Sequence, residues 1–100
     1  MPTRITIIID NPTDPEAFEA VYRKVRDAAA TFPKLERLES AKVWPKEDGT
    51  PTPAYRTLDL WFASYEDASA ATATPVAAEV FGGLLQSGTT ITGLFSDIEQ

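Results

Sequence analysis

A chain of 100 residues can enclose one hydrophobic core but cannot divide it into two, so a single domain over 1–100 is expected. Its 43% hydrophobic and 24% charged residues are the balance of a globular protein rather than a disordered one. Nine Lys and Arg against fifteen Asp and Glu leave a net charge of −6, which argues against nucleic acid and anionic membranes as partners, and the absence of Cys and His excludes disulfides, thiolate nucleophiles, Ser-His-Asp triads and the usual metal sites.

Met1-Pro2-Thr3-Arg4 leads straight into a strand-like segment with no signal-peptide pattern, and no apolar run approaches the ~18 residues of a membrane span. A cytoplasmic location is expected. Arg4 to Ile9 is β-branched and nearly continuously apolar, as a central strand covered on both faces would be. Asp10-Asn11-Pro12 ends it. Asp14 then serves as N-cap with Pro15 at the first helical position, where a missing N–H costs nothing. Phe18, Val21, Tyr22, Val25, Ala29 and Phe32 recur at spacings of three and four, which predicts an amphipathic helix to about Thr31, stopped by Pro33.

Leu35 to Trp44 reads as a strand with Leu38 on one face and Ala41 and Val43 on the other, its register left open. Pro45 to Pro53 holds too many breakers for a strand and forms a loop. Tyr55 to Phe62 alternates cleanly: Leu58, Leu60 and Phe62 share one face, Tyr55, Thr57, Asp59 and Trp61 the other. Both faces are bulky, so both are expected to be covered. Ser64 caps a short helix to about Ala73, Thr74-Pro75 restarts it as far as Gln86, and Gly82-Gly83 suits a bend or a close approach. Thr89 to Ser96 is the last strand, followed by an acidic tail expected to fray.

This βαββαβ order predicts an α+β ferredoxin-like fold: a four-stranded antiparallel sheet, two helices on one face, and a bare second face that a copy of the chain would cover through a two-fold homodimer interface. At this point the residues resemble a known family. Asn11-Pro12-Thr13-Asp14-Pro15-Glu16-Ala17-Phe18, Tyr22, the strand Tyr55-Arg56-Thr57-Leu58-Asp59-Leu60-Trp61-Phe62 and Thr74-Pro75, in this order and spacing, are similar to the EthD-like members of the dimeric α+β barrel group. The resemblance implies a small homodimer whose two sheets form a barrel around a pocket. It also implies relatives implicated in ether degradation, polyketide ring modification, lactone isomerisation and cofactor-free oxygenation. Where such proteins often carry a histidine followed two residues later by proline, this chain has Arg26 and Ala28, so no His-dependent or haem-ligating role carries over.

Among candidate site residues, Asp59 beside Thr57 and Trp61 suits a general base in a partly desolvated cavity; the competing reading is an ion pair with Arg4, Arg56 or a second subunit. Trp61, Tyr55 and Trp44 suit the walls of an aromatic pocket, or core and interface. Tyr22 would place its hydroxyl in a cavity between helix and sheet or on a backbone partner, and Arg4 would hold a ligand carboxylate or pair with Asp59. The expected function is binding of a small hydrophobic or aromatic molecule in a cavity between sheet and helices, with cofactor-independent monooxygenase, decarboxylase or isomerase chemistry and neither metal nor organic cofactor. The alternative is a non-enzymatic accessory module whose bare face is only an interface.

Overall fold

The computed structural model describes residues 1–99, so the last residue of the expected domain, Gln100, lies outside the described residues. The elements are β1 (Thr3–Ile9), α1 (Pro15–Ala29), β2 (Arg37–Lys42), β3 (Arg56–Phe62), α2 (Tyr65–Thr72), α3 (Pro75–Leu85) and β4 (Ile91–Asp97). The sheet runs in the order β2-β3-β1-β4 with every neighbouring pair antiparallel. The fold is therefore the α+β ferredoxin-like one, with its second helical segment divided in two.

The division has a local cause. The Thr74 hydroxyl donates to the Ala71 carbonyl at 2.6 Å, closing α2, while its oxygen accepts from the Ala77 amide at 3.4 Å, opening α3. Pro75 has no N–H to extend α2 across the junction. Asp14 and Ser64 cap α1 and α2 in the expected way, accepting from the Ala17 and Asp67 amides at 3.1 and 3.2 Å. Of the glycine pair, Gly83 is the one that matters: a Cβ there would lie 2.9 Å from Val25 Cγ2, so α1 and α3 meet closely at this point, whereas Gly82 has open space. Val25 is β-branched and held to one rotamer in a helix, so it has little room to yield.

The core lies between the sheet and the helices. Ile5, Ile7 and Ile9 of β1 join Leu58, Leu60 and Phe62 of β3 on one side, with Phe18, Val25, Val80 and Leu84 from α1 and α3 on the other. Each fully buried side chain of this kind stabilises the fold by about 1.5–3 kcal/mol relative to exposure. The register places Ile5 opposite Leu60 and Ile7 opposite Leu58, which fixes the other parity of both strands, including Arg4, Thr6, Thr57, Asp59 and Trp61, on the far face. β1 is central but its far face is half-buried, so the cover expected on both sides is supplied on one.

β2 is shorter than the segment Leu35–Trp44 suggested, and its register is settled: Leu38 lies opposite Leu60 towards the core, and Ala41 opposite Thr57 on the far face. The tail is tied down rather than frayed as far as Ile98, whose amide donates to the Pro2 carbonyl at 2.8 Å. No helix among the described residues is long and apolar enough to cross a membrane.

Candidate functional site

The far face of the sheet can be read row by row from the register. One row runs Arg37, Trp61, Arg4, Ser96; the next Glu39, Asp59, Thr6, Leu94; the next Ala41, Thr57, Ile8, Thr92. The Trp61 ring lies between two guanidiniums, with Arg37 at 5.0 Å and Arg4 at 5.9 Å from its centroid. Asp59 accepts from the Thr6 hydroxyl at 2.7 Å and stands 3.9 Å from Arg4 Nε, which is itself buried without a hydrogen-bond partner among the described residues. Four of the expected site residues, Arg4, Thr57, Asp59 and Trp61, are thus brought together on one surface.

Tyr22 is not among them. It is buried on the helix side of the sheet, its hydroxyl 2.6 Å from Ser40 Oγ, and the sheet separates it from Asp59 within one protomer. Tyr55 also lies on the helix side, packed edge-on against Phe18 at 5.6 Å, and not on the Trp61 face where unbroken alternation would put it. The reason is local: β3 begins at Arg56, and the chain bends at Tyr55, so strand parity does not reach back that far.

Around Tyr22 lies a polar cluster that the sequence reading did not identify. Arg56 donates twice to Glu19, Nε at 2.8 Å and Nη2 at 2.6 Å, donates to Ser40 Oγ at 3.4 Å, and stacks over the Tyr22 ring at 4.7 Å. The signal was present in the sequence: Arg56 shares strand parity with Leu58 and Leu60, so a charge there must find a partner on the helix side. The Arg56 hydrogen bonds hold the Glu19 carboxyl below its ordinary value, and burial holds the Tyr22 hydroxyl above its own, so at neutral pH Tyr22 is protonated and can donate.

Because the folded Glu19 pKa is depressed, its contribution to stability is complete above the ordinary value of 4.5 and is lost as pH falls through the folded value. Glu19→Gln is expected to cost about 1–2 kcal/mol at neutral pH, since Arg56 loses a charged partner while only partly exposed. The same variant should show a flatter loss of stability on acidification, measured by urea denaturation at neutral and acid pH; equal slopes for the two proteins would remove the pair from the acid response.

Beside this cluster the β2–β3 connection, with Asn11 and the end of β2, lines an open cleft of about 670 Å³. Asn11 Nδ2 clasps the loop by donating to the Thr52 carbonyl at 2.8 Å, and Asp48 accepts from the Thr50 amide and hydroxyl at 3.0 and 2.6 Å across Gly49, whose φ of +81° favours glycine. Those two bonds also hold the Asp48 carboxyl below its ordinary value. Trp44, 88% exposed, forms one wall with Pro45 and Pro51, and Tyr55 forms another, with Lys42 between strand and loop, its ammonium 5.3 Å from the Tyr55 centroid. Of the expected ligand-binding residues, the cleft gathers Trp44 and Tyr55. It sits at the edge of the layer between sheet and helices, whose interior is filled by side chains such as Leu58, Leu60 and Phe18 at 0–1% exposure.

Fold and geometry together define a ferredoxin-like α+β domain with one open sheet face and a marginal aromatic cleft. No protein-family model matches the chain. It shares 34% identity over 73 residues, 72% of this chain and 70% of the other, with the uncharacterized 11.0 kDa protein of the thcB-thcC intergenic region of Rhodococcus erythropolis, and it belongs to the family of that protein. In fold it is similar to an EthD family protein from Bacillus halodurans C-125, with a TM-score of 0.88 at 14% identity over 99% of this chain and 100% of that one. It is also similar to SnoaB, a cofactor-independent oxygenase from Streptomyces nogalater (TM-score 0.66, 14% identity, 99% and 92% covered), and to a dimeric ferredoxin-like protein of unknown function from Thermobifida fusca YX (TM-score 0.76, 13% identity, 98% and 92% covered). The EthD-like resemblance read from the sequence thus holds in the fold.

Proposed function

We propose that the protein is a homodimer whose protomers pack their open sheet faces together, and that each binds a small, flat, mainly apolar molecule in the cleft beneath loop 43–54. The observation that carries the binding reading is the cleft itself: about 670 Å³ lies within the range of small-molecule sites, and its walls combine Trp44, Tyr55 and two prolines with few polar groups. An indole left 88% exposed beside a concave surface is unspent apolar area that a flat ligand would cover. The dimer reading is supported by the mixed far face, where Trp61, Ile8 and Leu94 lie beside a buried guanidinium nitrogen without a hydrogen-bond acceptor among the described residues.

A second reading places the ligand between the two sheets, with Asp59 as base, Trp61 and Thr57 as walls and Arg4 on a ligand carboxylate. Arg4 Nε, ion-paired with Asp59 at 3.9 Å but without a hydrogen-bond partner among the described residues, favours it, and cofactor-free oxygenation, decarboxylation or isomerisation would then fall to Asp59, with Tyr22 excluded from the same substrate by the intervening sheet.

One titration separates the two. Adding the neutral aromatic 2-naphthylmethanol to isotopically labelled protein should move the amide resonances of Val43, Trp44, Thr50 and Tyr55, and Trp44→Ala should weaken binding about tenfold, the loss expected for removing an aromatic wall. Movement confined to Thr6, Thr57, Asp59 and Trp61 would transfer the site to the sheet face and overturn the cleft assignment.

A further inference from the structure

We propose that the molecule taken into the cleft is an aromatic anion, an aryl carboxylate, with Lys42 receiving its charged end; this rests on the cleft reading above and names the ligand class. Among the described residues Lys42 is the one charged side chain on the cleft lining, which otherwise consists of aromatic, aliphatic, proline, glycine and neutral polar residues. Arg23, Lys24, Lys42 and Lys46 take part in none of the five ion pairs among the described residues, and of these four Lys42 is the one that lines the cleft.

Its neighbour Glu19 feels its field, but the Glu19 carboxylate is already held by two Arg56 hydrogen bonds, at 2.6 and 2.8 Å, and Arg56 is the closer charge. Lys42 instead rests near the face of Tyr55, at 5.3 Å, on the same ring that walls the cleft. A ring stacked between Trp44 and Tyr55 would carry a substituent towards that ammonium. The complementary substituent is an anion, since a neutral one forfeits the Coulomb attraction and a cation is repelled.

β2 is an edge strand, and an edge-strand lysine also discourages strand-to-strand association. That role predicts nothing about ligand charge, which makes the two separable. The probes are 2-naphthoate and its neutral counterpart 2-naphthylmethanol, titrated by amide shifts into the wild type and Lys42→Met, a change at an exposed position whose spectrum reports directly that the fold is kept.

The wild type should bind the carboxylate about two- to fivefold more tightly than the alcohol, the size of an exposed ion pair. Lys42→Met should abolish this preference by weakening the carboxylate relative to the alcohol, and added salt should narrow the gap in the wild type alone. Equal affinities in the wild type, or a preference that survives in Lys42→Met, would overturn the anion proposal while leaving the cleft as a binding site. Failure of both probes to move Trp44 and Tyr55 would overturn the cleft reading together with it.

Discussion

Replacing Phe18 with alanine should lower stability by about 3–5 kcal/mol, the cost of deleting a fully buried aromatic side chain and leaving a cavity. Phe18 is 1% exposed and is packed on three sides: against the β1–β3 core, stacked on Tyr22 at 5.7 Å and edge-on to Tyr55 at 5.6 Å. Neighbours from the sheet, from α1 itself and from the bend at Tyr55 cannot collapse together into the space, so relaxation recovers little of the loss. In a domain of this size each kcal/mol moves the thermal midpoint by about 4–8 °C, so the midpoint should fall by at least about 12 °C in a circular-dichroism melt. Phe18→Leu, which keeps most of the volume, should lose less than half as much. A Phe18→Ala midpoint within about 4 °C of wild type would show that this contact does not support the core. Because Tyr55 leans on Phe18, the alanine variant should also bind aromatic probes in the cleft more weakly at temperatures where it remains folded.

The sequence made the scaffold legible because its signals were local and redundant. Asp14-Pro15 and Ser64 announced helix starts by their own side-chain chemistry, and the Leu58, Leu60 and Phe62 alternation fixed one face of β3 without reference to any neighbour. Thr74-Pro75 marked the helix break for the same reason. Readings failed where a side chain's position depends on backbone outside a regular element. Tyr55 was assigned by extending strand parity one residue beyond the strand, and the bend there turned it towards Phe18.

The site was harder to read because it is assembled across long sequence separations. Glu19 and Arg56 lie 37 residues apart, and Tyr22 and Ser40 18 apart, so neither pair has a spacing to detect. The cleft is braced by Asn11, which follows β1 and holds Thr52 from 41 residues away in sequence, a contact that a string of prolines and threonines does not reveal. The open-face group was partly visible: once β1 and β3 were recognised, parity alone put Arg4, Thr57, Asp59 and Trp61 on one side.

That open face carries the second large prediction. Ile8→Lys is expected to convert a dimer of roughly twice 10.9 kDa into a folded monomer of that mass, read by light scattering after gel filtration. Ile8 sits between Thr57 and Thr92 in the interior of the sheet, on the face opposite the core, and is half-buried within the single chain. In a lone protomer a lysine there can run its methylenes over the sheet and keep its ammonium in water, at a cost of at most about 1 kcal/mol in strand preference. Between two packed sheets the same ammonium would be desolvated, and the two-fold axis would bring a second copy close to the first, so the penalty falls on association and is incurred twice. Lysine is the better probe than aspartate, because Asp59 occupies the adjacent row and a new carboxylate would stress the monomer as well. A wild type that stays at 10.9 kDa at high concentration would defeat the dimer outright. A dimer that survives Ile8→Lys unchanged would move the interface elsewhere, to the margin where Phe95 of the edge strand β4 meets Tyr65 at 5.7 Å, the two residues 45% and 54% exposed.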